Sequence, residues 1–219
     1  MKLNSRNIAA AIITMACWTA AAQPAAAQTV AREKKFGYRA LFDAGSHLFS
    51  ASRTFDTILE TDRGTFLGGG GQARWKNLIF EVTASRFQQT GERAFVFNGE
   101  VFRLGIPTTI SIRPIEFTAA YRLPRLWRVR PYGGGGFGRQ RYKETSQFAD
   151  PSENVTRSDA SYHVVGGAEI PVWRWFAAAA EVRYRTVRDA IGEGGVSQEF
   201  GETDLGGTSV RVRLIVIGR

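Results

Sequence analysis

From residue 38 onward, apolar and polar residues alternate with a period of two in a series of separate segments. Tyr38, Ala40, Phe42, Ala44 and Leu48 alternate with Arg39, Asp43 and His47, and Leu78, Phe80, Val82 and Ala84 with Glu81, Thr83 and Ser85. Ile115, Phe117, Ala119 and Tyr121 alternate with Glu116, Thr118 and Arg122. The pattern returns in Tyr162–Ile170 around His163 and Glu169, in Phe176–Tyr184 around Glu181, Arg183 and Arg185, and in Val210–Val216 around Arg211 and Arg213. Successive side chains of a strand face opposite sides, so each segment reads as a strand with one apolar and one polar face. Glycine dilutes the pattern in two further segments, Thr65–Trp75 and Pro131–Tyr142. In the first, Leu67, Ala73 and Trp75 oppose Gln72 and Arg74; in the second, Tyr132 and Phe137 fall on opposite faces and leave the phase open. The pattern predicts eight strands, most of them long enough for the roughly 9–11 residues of a tilted membrane strand.

The connections alternate in length. Long polar links, Ser50–Gly64, Arg86–Thr109, Lys143–Ala160 and Thr186–Asp204, follow the odd strands, and short ones, Lys76-Asn77, Leu123–Arg130 and Pro171–Arg174, follow the even strands. Long extracellular loops and short periplasmic turns are the signature of an up-and-down barrel. The predicted fold is therefore all-β, an eight-stranded antiparallel transmembrane β-barrel. Trp75, Trp127, Trp173 and Trp175 all lie at or beside short turns, the place for a periplasmic aromatic belt in which the indole ring sits among lipid headgroups. Asn98-Gly99 inside Ala94–Phe102 predicts a β-hairpin that extends strands three and four. The long loops are expected to carry mixed charge and exposed apolar residues, among them Phe55, Ile58 and Phe148.

The N-terminal segment has a different character. Lys2 and Arg6 precede an apolar stretch from Ile8 to Ala22 and an Ala25-Ala26-Ala27 site, which predicts a signal peptide over residues 1–27. A short N-terminal segment (28–35) and the barrel (36–219) complete the expected organisation. The only cysteine, Cys17, lies in the signal, so the mature chain has no thiol for a disulfide or metal. Lys2 and Arg6 are the only charged residues removed, and the formal net charge falls from +9 to +7. On an exported protein this basic balance points to outer-membrane lipid and lipopolysaccharide as partners, and not to nucleic acid; Arg122–Arg130 with Trp127 reads as a periplasmic turn.

The polar faces collect Arg39, Asp43, Arg74, Glu81, Glu116, Glu169, Glu181, Arg183, Arg211 and Arg213. An eight-stranded barrel has an interior just wide enough for side chains to fill. Charges there should pair, because an unpaired one costs several kcal/mol of desolvation. The expected result is a salt-bridged plug, with Glu181 and Arg183 facing Arg211 and Arg213 on the adjoining strand. Gly133, Gly135 and Gly138 fit a dinucleotide fingerprint, but Arg139-Gln140-Arg141-Tyr142 continues as a strand where a helix is required. Gly68–Gly71 reads as a place where the strand curves or neighbours approach closely. No cofactor or metal site is expected: His47 and His163 have no cysteine to join them, and each reads as an interior hydrogen-bonding residue.

Pro131-Tyr132 leading into Gly133–Gly138, the Gly-rich second strand, and the final strand of alternating Val and Arg together resemble the outer-membrane β-barrel domain family, the small porin-like barrels related to OmpA and OmpW. Barrels of this group usually finish on Phe or Trp for the assembly machinery to read, whereas the last residues here are Val216-Ile217-Gly218-Arg219. The resemblance implies a non-enzymatic outer-membrane protein with a structural, surface-interaction or small-solute passage role, a small hydrophobic solute being the OmpW-like suggestion. Two other classes stay open. A lipid-A-modifying enzyme would need a His beside a Ser and an acid, and Ser46 points away from His47. A soluble periplasmic lipocalin-like binder would turn the apolar face inward.

Overall fold

The computed structural model describes residues 36–97, 100–146, 154–193 and 195–218. The predicted signal peptide, the 28–35 segment, the Asn98-Gly99 turn and Phe148 lie outside these residues. The described chain forms β1 (Phe36–Phe49), α1 (Ser52–Leu59), β2 (Arg63–Trp75), β3 (Leu78–Phe97), β4 (Glu100–Arg122), β5 (Arg130–Ser146), β6 (Val155–Trp173), β7 (Phe176–Thr186), α2 (Gly195–Glu199) and β8 (Gly207–Ile217). The strands are joined in sequence order into a closed barrel, each antiparallel to its neighbours. β1 pairs with β8 from Arg39↔Ile217 to Phe49↔Gly207 and closes the ring.

Closure converts the two-residue alternation into two surfaces. Outside stand Phe42, Phe80, Phe117, Phe137, Val164, Val182 and Val212, all exposed; inside lie Arg39, Asp43, Glu81, Thr83, Glu116, Thr118, Glu181 and Arg183, all buried. Such an inversion fits a barrel in lipid, where the backbone is satisfied entirely by its neighbours and closure leaves no edge. The fifth strand resolves with Tyr132 inside and Phe137 outside. Lumen-facing glycines make room for large side chains: a Cβ at Gly64 would meet the Phe87 ring at 2.1 Å, and one at Gly167 would meet the Tyr132 hydroxyl at 2.6 Å.

The barrel is taller on one side. β3, β4, β5 and β6 have 20, 23, 17 and 19 residues, against 11 in β7 and 11 in β8. The expected extension of β3 and β4 through the Arg86–Thr109 link is present, and much of Lys143–Ala160, expected as a loop, is strand as well. Pairing continues through Thr90↔Thr109 and, past a bulge between Glu92 and Ala94, to Phe97↔Glu100. On the other two long links the chain folds back as a cap over the barrel mouth, where α1 packs on β1, β3 and α2. This corrects the expectation that Phe55 is exposed in a loop. Phe55 is 2% exposed and stacks on Phe49 with ring centroids 3.8 Å apart, and Ile58 is half-buried. In α1 the side that carries Thr54, Phe55, Thr57 and Leu59 turns inward, so a helix replaces the loop because it can bury that side.

Candidate functional site

The interior is filled in layers. At the turn end, Leu41, Ile79, Ala120, Tyr132, Val165, Ala177, Ala179 and Ile215 form one apolar cluster. Beside it Glu169 on β6 takes Arg39 from β1 at 2.7 Å and Arg122 from β4 at 3.1 Å. Above lies an ionic layer. Arg213 meets Asp43 at 2.6 Å, Glu81 at 2.7 Å and Glu181 at 3.3 Å. Arg183 meets Glu116 at 2.7 Å, Glu181 at 3.0 Å and Glu81 at 3.3 Å. Arg211 stands 3.6 Å from Glu181 and 3.8 Å from Glu116, with its guanidinium over the Phe66 ring at 4.9 Å. Planar guanidinium groups suit this packing because each can serve several carboxylates from one plane.

Of the ten interior charges read from alternation, Arg39, Asp43, Glu81, Glu116, Glu169, Glu181, Arg183, Arg211 and Arg213 are buried in the lumen. Arg74 is half-buried near the turn end. The partners differ from the expected cross-strand scheme. Glu181 does face Arg211, but Arg183 faces Ser209 and Arg213 faces Ala179. Of the short contacts, Arg213–Asp43 joins directly opposed residues of β1 and β8, while Arg213–Glu81 and Arg183–Glu116 cross the lumen, because a narrow closed tube brings opposite walls within reach of a long arginine. Two buried arginines complete the network, Arg122 and Arg185, the latter 3.4 Å from Glu116. Both occupy lumen phases of their strands, and parity alone would have included them. Tyr132 adds a hydroxyl that donates to Glu181 at 2.9 Å, which the undecided phase of β5 concealed.

Both histidines are buried and engaged. His47 Nε2 donates to the Gly206 carbonyl at 3.3 Å, and His163 Nε2 lies 2.9 Å from Thr118 Oγ1. Ser46 is exposed on the opposite face.

At the loop end a second apolar cluster closes the mouth. Phe49, Phe66, Phe87, Ile110, Ile112 and Tyr142 from the barrel meet Phe55 and Leu59 from α1, with Val187 and Leu205 from the last link. The cap is pinned by two carboxylates from that link. Asp204 accepts from Val187 N and Gly206 N, each at 2.7 Å, and from Thr186 Oγ1 at 2.9 Å. Glu202 accepts from Arg53 N at 3.1 Å and from Thr54 N and Oγ1 at 2.9 and 2.7 Å. Ala51, at the N-cap of α1, has no side chain for this task, so a residue from the far end of the sequence does it. Between cap and tall wall lies a cavity of about 360 Å³, lined among others by Phe55, Ile58, Tyr142, Val155, Arg157 and Val196. The four tryptophans sit at the opposite, turn end. Trp127 is 94% exposed, Trp75 and Trp173 are exposed, and Trp175 is half-buried with Arg174 against its ring.

Eight antiparallel strands in a closed ring, apolar outside and ionic within, define a transmembrane β-barrel. Residues 13–214 match the outer membrane protein beta-barrel domain, and the chain belongs to that family, whose place is the bacterial outer membrane. Among solved structures, the chain is similar to Neisserial surface protein A, with 15% identity over 84% of this chain and 96% of that one and a TM-score of 0.53. OprG from Pseudomonas aeruginosa follows with 15% identity, 84% and 92% coverage and a TM-score of 0.47. The N-terminal β-barrel domain of Pseudomonas aeruginosa OprF gives 10%, 83% and 98%, and 0.45. At such identities the likeness is one of fold. No curated protein matches the sequence.

Proposed function

We propose that this protein is a sealed, non-enzymatic outer-membrane barrel with a structural and surface-interaction role, carried by its cap and tall wall. One observation carries this reading: the lumen is occupied from end to end by the lower apolar cluster, the cross-linked arginines and carboxylates, and the upper apolar cluster beneath α1. An ion entering it would have to displace paired charges, each of which costs several kcal/mol to strand. The engagement of His47 and His163 by neighbouring groups supports a structural use of both rather than proton transfer on envelope lipid.

The test is conductance. Purified, folded protein added to planar bilayers is expected to give no unitary current steps. Reproducible steps from the wild-type chain would overturn the proposal and favour passage of a small solute. The non-enzymatic reading is checked by replacing His47 and His163 with glutamine in cells. An altered lipid A mass spectrum would sink it.

A further inference from the structure

The outer wall of the barrel carries a cationic groove across β3, β4 and β5. On β3 the outward apolar run Phe80, Val82, Ala84 is followed by Arg86; on β4 the run Tyr121, Ala119, Phe117, Ile115 ends at Arg113; on β5 Phe137 is followed by Arg139, Arg141 and Lys143. Register brings these cations together. Arg113 pairs directly with Arg141, Ser111 with Lys143, and Ile115 with Arg139. Arg86 falls level with Arg113, between the pairs Ala84↔Ile115 and Phe87↔Ile112. Gln88, Thr109, Ser111 and Thr145 join Arg113, Arg141 and Lys143 around a groove of about 280 Å³. Among the described residues, these stretches of the outer face contain no acid. The positions that follow the apolar runs of β2, β7 and β8 are Thr65, Thr186 and Thr208.

Like charges directly opposite one another on a sheet repel and destabilise the pairing. Three arginines in one row across adjacent strands therefore call for a counter-charge from outside the chain. The position says what kind. The groove opens where the lipid-facing band ends, at the level of headgroups in the outer leaflet, and the faces of Ile115, Phe117 and Phe137 run directly beneath it. A ligand seated there would lay acyl chains along the apolar band and present anionic oxygens to the arginines, while the neighbouring hydroxyls and amide could bond sugar hydroxyls.

We infer that this groove on β3, β4 and β5 binds the phosphorylated sugar headgroup of an outer-leaflet glycolipid. Guanidinium groups pair with phosphate in two-pronged geometry, and such charge-assisted bonds are among the strong ones. The site lies on the lipid-facing wall and does not depend on whether the lumen conducts.

The experiment is native mass spectrometry of the full folded chain in neutral detergent, titrated with diphosphorylated lipid A, with the same lipid stripped of phosphate, and with inorganic pyrophosphate. The diphosphorylated lipid is expected to remain bound, and binding should weaken as ionic strength rises. Removal of its phosphates should weaken binding about tenfold or more, and pyrophosphate should not compete. Arg113→Ser with Arg141→Ser should lose the lipid to a similar extent, while Thr65→Ala with Thr208→Ala should keep it; heat-dependent gel mobility reports that each variant is folded. Equal retention of the phosphate-free lipid would overturn the inference, as would competition by pyrophosphate, which would mark a site for free phosphate. The comparison among lipids uses the wild-type chain, so it decides the matter even where the double arginine variant fails to fold.

Discussion

Arg213 on β8 reaches across the lumen to Glu81 on β3 with two bonds, Nη1 to Oε2 at 2.7 Å and Nη2 to Oε1 at 3.0 Å. Its Nε takes Asp43 on β1 at 2.6 Å. With Glu181 on β7 at 3.3 Å, one side chain thus serves carboxylates on three other strands, in a place closed to water.

Arg213→Ala leaves Asp43, Glu81 and Glu181 short of their shared cation. Breaking a buried ionic group by removing one partner costs about 3–5 kcal/mol. A loss of that size is expected in the urea unfolding free energy of the barrel in lipid vesicles. Arg213→Lys should recover only part, because an ammonium group lacks the planar fork that serves two carboxylates at once. Full recovery by lysine would mean that charge alone matters there.

Phe55 should be the keystone of the cap. Removing a buried phenylalanine costs about 3–5 kcal/mol, and here the loss falls on α1 rather than on the strand ring. Phe55→Ala should open α1 to added protease and raise amide exchange across Ser52–Leu59, while the heat-dependent gel shift of the barrel persists. Unchanged protection of α1 would show that the remaining cluster residues hold the cap.

Glu202 is expected to act as a remote helix cap. Its carboxylate bonds the backbone N–H groups of the second and third residues of α1, the donors that an N-cap side chain would satisfy, and its negative charge suits the positive end of the helix. Glu202→Ala should cost the cap about 1 kcal/mol and speed exchange of the Arg53 and Thr54 amides first. Ala51→Ser in the same background should restore part of the protection by supplying a local acceptor.

Gly167→Ala places a methyl group 2.6 Å from the Tyr132 hydroxyl and 2.8 Å from the Ala180 carbonyl oxygen. The tyrosine must move, and its bond to Glu181 goes with it. Overpacking of this kind costs about 1–3 kcal/mol, to be read from the urea midpoint. Combination with Tyr132→Phe should be less than additive, since both changes abolish the same bond.

Much of this architecture is legible in the sequence because closure makes parity sufficient. Once Phe42 faces lipid, Asp43 must face the lumen, and the same holds for each well-alternating strand. What parity cannot carry is partnership. That Arg213 meets Glu81, three strands around the ring, depends on tube width and on the stagger of the strands, which no pair of sequence neighbours records. Glycine hid the phase of β5 by removing the side chains that announce a face, and Tyr132 went unseen with it. α1 was illegible for a different reason. Its eight residues have no capping side chain of their own, and the acceptor arrives on Glu202. The extensions of β5 and β6 read as loop because above the lipid band both faces meet water or the cap, and alternation of polarity fades; on β3 and β4 the Asn98-Gly99 signal between apolar runs marks the hairpin.

The pairing of β1 with β8 sets Asp43 directly against Arg213, at the one junction where the first and last strands of the fold meet. Arg213 therefore reaches Asp43 and Glu81 only when the seam is shut, and an open ring holds those carboxylates without it. The act of closing and the act of neutralising the lumen are one event. The ion pairs serve as a latch, and a chain that fails to bring its last strand home is left with a charged trough that lipid will not admit.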